Sequence, residues 1–142
     1  KLKPASGTPE LLRYRYFLHY AEGTLMPLLF MKLVFGRLPS RVPWFMKPVA
    51  RAISAGADKS LLNPQIGTAF MFLESELSQR EWFAGSEFSA ADIQMSFPLE
   101  ASAARSPLFK QLPKLSAFVE RIHARPAYKR ALEKGGGYEM LK

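Results

Sequence analysis

Ser89 and Asp92 stand three residues apart at the head of the stretch AADIQMSFPLEASAAR, residues 90–105. A hydroxyl followed at that spacing by a carboxylate is a capping box, in which each side chain can satisfy the other residue's backbone amide at a helix start. Asp takes the place of the more usual Glu or Gln. Phe88 just before the cap and Ile93 just past the box are placed as a hydrophobic staple. The helix that follows is apolar on nearly every side, which predicts that it lies inside the domain. A buried helix start has no water for its free amides, so loss of Ser89 is expected to cost about 0.5–2 kcal/mol.

The rest of the chain reads as helices around this one. No run of alternating apolar and polar residues with turn dipeptides between them occurs, so the fold class is all-α, with about five to six helices. Thr8-Pro9-Glu10 is a helix start, with a hydroxyl cap, a proline where no amide hydrogen is needed and a carboxylate at the positive end of the dipole. The helix it opens is expected to reach about Phe35, with a kink or break at Pro27. GRLPSRVP, 36–43, predicts a surface loop. A second helix is expected over about Trp44 to Lys59, with Asn63 as a cap and Pro64 restarting or continuing it as the partner of an antiparallel hairpin. Ile66, Phe70, Leu73 and Leu77 then share one face. Pro113 opens a helix with Leu115, Phe118, Val119 and Ile122 as its apolar stripe, and Arg125-Pro126 begins a last helix to about Lys134. Gly135-Gly136-Gly137 stops it; with no strand before and no helix after, it is no phosphate loop. Residues 1–8 read as linker, 9–134 as one helical domain and 135–142 as a flexible tail.

Several classes drop out. At 142 residues one domain is expected, and 48% hydrophobic with 23% charged residues argues against disorder and fibres. There is no cysteine, hence no disulfide, thiolate metal site or catalytic thiol in the chain; a cytoplasmic setting fits. The apolar stretch 25–35, broken by Lys32, is far short of the ~20 residues of a spanning helix, and no signal peptide is visible. A net charge of +8 is spread without a dense run, so solvated helix faces are preferred to a DNA or RNA partner.

The segment WFAGSEFSAADI, 82–93, before the central helix, and PKLSAFVERIHARPAYKRAL, 113–132, after it, resemble the C-terminal domain of glutathione transferases. YFLHYAEGTLMPLL, 16–29, and ADIQMSFPLE, 91–100, are similar to the fungal and bacterial branch that includes the yeast membrane-associated transferase. The resemblance implies an enzyme of detoxification in which an N-terminal thioredoxin-like domain, absent from this chain, binds glutathione as co-substrate. A residue of that domain stabilises the thiolate that attacks an electrophile or a peroxide. The helical domain would supply walls of the hydrophobic electrophile pocket and part of a homodimer interface, and alone it would be inactive. Val42-Pro43 resembles the family's glutathione-binding turn, but no strands surround it.

The resemblance also makes the first helix the source of substrate-binding residues: Tyr16, His19, Tyr20, Glu22, Gly23 and Met26. Tyr16, Tyr20 and Gly23 share a face by spacing, and Glu22 is placed to accept a hydrogen bond from the neighbouring subunit's glutathione. Each has a plainer reading, His19 as an edge residue and the tyrosines, Tyr14 included, as packing with a hydroxyl at the rim. Asp92 is explained by its cap, and His123 has no second metal ligand nearby. The rival reading of the whole is a non-catalytic interaction or scaffold module, which fold alone does not separate from an enzyme. A third concerns 26–47, whose aromatic and basic mixture suits a membrane surface; a dimer contact or pocket wall is preferred.

Overall fold

The computed structural model describes residues 2–136. Seven α-helices follow in chain order: α1 (Pro9–Tyr20), α2 (Met26–Arg37), α3 (Lys47–Ala57), α4 (Asn63–Gln79), α5 (Ala90–Arg105), α6 (Pro113–Ala124) and α7 (Pro126–Gly135). One π turn, Ala21–Leu25, joins α1 to α2 and another, Asp58–Leu62, joins α3 to α4. The seven therefore form five continuous helical rods, and no strand occurs among the described residues. Helix α5 packs on α1, α2 and α6, as its apolar content requires, and α4 packs on α2 and α6. Only Ile93, Ala104 and Arg105 of α5 are exposed.

Pro27 does not break the first rod. The ladder widens just ahead of it, where the Met26 N–H donates to the Ala21 carbonyl five residues back, so the turn before the proline keeps its bonds although Pro27 has none to give. Three other expectations are corrected. Thr8 sits at the cap position in an extended conformation, yet its hydroxyl donates to the Ala5 carbonyl at 2.9 Å and caps nothing. Gly36 and Arg37 belong to α2, and the second rod is α-helical only from Lys47, after a 3-10 turn at Trp44–Met46. Asn63 is no cap, because Leu62 before it is already helical; its side-chain oxygen instead accepts a hydrogen bond from Lys32 Nζ at 2.7 Å.

The capping box forms, and it reaches further than the helix it starts. Asp92 Oδ2 accepts the Ser89 amide at 2.8 Å and the Ser89 hydroxyl at 2.9 Å, while Oδ1 accepts the Phe83 amide at 2.8 Å. The carboxylate thus ties α5 to the WFAG turn as well as to its own cap. The staple does not form: Phe88 packs edge-on to Trp82 at 5.0 Å beneath the Arg125 guanidinium at 3.5 Å, and Ile93 is 49% exposed. Helix α6, which begins with proline and has no cap of its own, borrows one from α4: Glu74 accepts the amides of Lys114 at 2.9 Å and Leu115 at 2.8 Å.

The α4 and α6 stripes predicted from spacing, Ile66, Phe70, Leu73, Leu77, Leu115, Phe118, Val119 and Ile122, are all buried in one core with Phe17, Phe83, Met95 and Leu99. Helix α7 ends in Gly135, and Gly136 follows at φ 75°, a left-handed conformation that glycine adopts without strain. The rest of the predicted tail, 137–142, lies outside the described residues.

Candidate functional site

Several clefts open among the described residues. The first lies between α1, its π turn and α4, has a volume of about 540 Å³, and is lined by Tyr16, Tyr20, Thr24 and Leu28 against Pro64 and Phe72, among others. Phe17, itself 1% exposed, supports it from below. Its ring meets Phe83 at 4.8 Å and stacks on Phe72 at 6.2 Å, and the rings of Tyr16 and Tyr20 stand 5.7 Å apart above it. Burial, with Tyr16 alongside, pushes the Tyr20 phenol up to about 12, so it stays a neutral hydrogen-bonding group and is no base at neutral pH.

Of the six residues assigned to substrate, the structure brings only Tyr16 and Tyr20 together. Gly23 leaves their face because it sits in the π turn, where the wider winding puts Thr24, four residues after Tyr20, in the next place on the cleft. A Cβ added at Gly23 would meet nothing within 4 Å, so no part of this chain presses on it. His19 is exposed, and Met26 is half-buried and lines none of these clefts. Glu22 is exposed and accepts a hydrogen bond from Gln94 Nε2 of α5 at 2.6 Å.

The second cleft was not foreseen from the sequence. It lies where α2, α4 and the C-terminal end of α5 meet, and has a volume of about 570 Å³. Leu29, Leu33, Ile66, Phe70 and Leu108 supply apolar walls, and Lys32 and Arg37 stand at its edge with Arg105. Lys32 bridges the second π turn, donating to Asp58 Oδ1 at 3.0 Å and to Asn63 Oδ1 at 2.7 Å. The one signal in the sequence was the pairing of Leu29 with Leu33 and of Lys32 with Gly36 at helical spacing.

A buried carboxylate the sequence reading passed over holds the last helix. Glu100 of α5 is 3% exposed. Its Oε2 accepts the Tyr128 hydroxyl at 3.1 Å and its Oε1 lies 3.4 Å from His123 Nε2, with the His123 and Tyr128 rings stacked at 4.8 Å. Burial raises the Glu100 carboxyl above its ordinary range, against the pull of Tyr128 and of His123 when protonated. The folded state therefore prefers the protonated acid, so this stabilisation is complete below the unfolded carboxylate pKa and is lost as pH rises through the folded value. Glu100→Gln is expected to flatten that decline: the melting temperature of the variant minus that of the parent should increase from pH 4 to 7. A difference constant with pH would disprove the linkage. No cluster of three metal-ligating side chains occurs among the described residues.

The sequence profile described as "Glutathione S-transferase, C-terminal domain" matches residues 38–126, from the end of the first rod to the start of α7. The chain belongs to the glutathione S-transferase family. It is 28% identical over 125 residues to glutathione S-transferase 3 of Schizosaccharomyces pombe, covering 88% of this chain and 52% of that one. It is 27% identical over 122 residues to glutathione S-transferase 1 of Saccharomyces cerevisiae, covering 84% and 52%. The chain thus spans about half the length of these fungal glutathione S-transferases. Among solved structures, a sphingomonad glutathione S-transferase complexed with glutathione matches with a TM-score of 0.65 at 25% identity, over 96% of this chain and 60% of that one. A glutathione S-transferase from Actinobacillus pleuropneumoniae has the same fold, with a TM-score of 0.68 at 23% identity over 99% and 60%. The glutathione S-transferase C-terminal domain is helical, as the all-α reading required. No helix of the described residues is long and apolar enough to cross a membrane.

Proposed function

We propose that this chain is the helical half of a glutathione transferase that conjugates glutathione to hydrophobic electrophiles or reduces organic peroxides. In this reading the thiol is bound and ionised by a thioredoxin-like domain of the whole protein, and the helical half chooses the second substrate. The observation that carries it is the cleft of about 570 Å³ between α2, α4 and α5, apolar enough to hold an electrophile and built within a chain of this family. The cleft would form one wall of the electrophile pocket.

The tyrosine cleft has a different role in this reading. Leu12 and Tyr16 of α1 and Met71 of α4 are 51–68% exposed beside it, and such an apolar helix face suits a second copy of the chain in a homodimer. Glu22 is bonded to Gln94 of α5 and does not line this cleft. The division of labour is tested by assaying the whole protein and this chain with glutathione and chlorodinitrobenzene, in which the thiolate displaces chloride from the ring. The whole protein is expected to turn over and the chain is not. Equal activity in both would refute the division, and none in the whole protein would favour the non-catalytic interaction module.

A further inference from the structure

We infer that the cleft between α2, α4 and α5 selects amphiphiles with an anionic head, such as medium-chain carboxylates, over neutral or cationic ones of the same length. The inference rests on the reading of this cleft as a ligand pocket and adds the charge of the ligand. Its walls are unusually poor in negative charge. Residues 23–57, which include all of α2, contain no Asp or Glu, and neither do 101–119, from the end of α5 into α6. On the third wall, 59–73 is equally free of them. Asp58, the one acid between 23–57 and 59–73, is matched by Lys32 at 3.0 Å. The Arg37 guanidinium at the lip has no carboxylate from any lining element against it, so an alkyl chain laid on Leu29, Leu33 and Phe70 would bring its head to a cation.

Shape points the same way. Gly36, among the lining residues, adds no side chain, and a Cβ there would meet nothing within 4 Å, so a polar head can reach Arg37 beside it without displacing protein atoms. An Arg at a part-exposed lip attracts a carboxylate modestly, about 3–10-fold in affinity at low salt. That attraction should fade as salt shortens the Debye length from about 10 Å at 0.1 M.

The test titrates the chain with decanoate, decanol and decylammonium and follows backbone amide shifts of Ala101, Ser102 and Gly36 by NMR. Decanoate is expected to bind about 3–10-fold more tightly than decanol, with decylammonium weakest, and the order should collapse at high salt. Arg37→Glu should reverse the preference between acid and amine while leaving decanol unchanged, which a structural role for Arg37 would not do. Equal binding of acid and alcohol would overturn the charge selection and leave the pocket standing. Failure of all three to shift these amides would remove the pocket reading itself.

Discussion

Asp92→Ala is expected to lower the stability of the chain by about 3–5 kcal/mol, the largest effect of any polar substitution in it. The residue is fully buried, and its removal strands the Phe83 and Ser89 amides, which have hydrogen bonds of 2.8 Å to it. Each unpartnered buried donor costs about 1–3 kcal/mol. Ser89→Ala should cost only about 1 kcal/mol, because the serine gives one hydroxyl bond to the carboxylate at 2.9 Å and leaves the two amide bonds in place. Asp92→Asn should fall between them, since its amide nitrogen turns a donor toward donors. Urea denaturation of the three variants decides the matter, and thermal melts should show a fall of about 10–20 °C for alanine. If Asp92→Ala cost no more than Ser89→Ala, the carboxylate would be a cap for α5 alone and the tie to the WFAG turn would contribute nothing.

Phe17→Ala is expected to cost a further 3–5 kcal/mol in its own right, as large-to-small aromatic substitutions in a core do. Phe17 packs on Phe83 and Phe72, lies under the Arg13 guanidinium at 5.3 Å, and is edge-on to Tyr16 at 5.1 Å. Arg13 in turn is paired with Glu76 of α4 and donates to the Phe83 carbonyl at 3.2 Å. The substitution should therefore loosen the tyrosine cleft as well as the core, seen as a weakened near-ultraviolet circular dichroism of Tyr16 and Tyr20 in protein that is still folded. Leu12→Ala, one turn away but 68% exposed, should change stability by less than about 0.5 kcal/mol. An undisturbed tyrosine signal in Phe17→Ala would mean that α4 alone shapes the cleft.

The two results bear on different halves of the functional reading. Asp92 holds the central helix at the depth where its C-terminal end meets α2 and α4, which is where the second cleft opens. Phe17 holds the face proposed for a second subunit. Damage at one site should leave the other measurable, because the two sets of partners share only Phe83.

Local chemistry set out along the chain was readable from the residues alone. The helix over 90–105 and its capping box, the stripes of α4 and α6, and the proline-led starts of α1, α6 and α7 all follow from short-range spacing, because a helix repeats every 3.6 residues whatever surrounds it. The family resemblance was legible for the same reason, since its motifs are contiguous. Tertiary packing decided the rest. Spacing put Gly23 on the face of Tyr16 and Tyr20 by counting α turns, and the π turn at 21–25 changed the count. It paired Phe88 with Ile93, although Trp82 and Arg125 from other segments offered Phe88 a better partner. Asn63 and Thr8 had the chemistry of caps, but a continuing helix and a nearer carbonyl took them. Glu74 capping α6, Glu100 holding His123 and Tyr128, and the cleft of α2, α4 and α5 join residues between 23 and 79 positions apart. Such contacts exist only once the rods are laid side by side. The chain by itself determined that it would be helical, which helix would be central and to which family it belongs; where its clefts open, and which side chains meet in them, waited on how the rods pack.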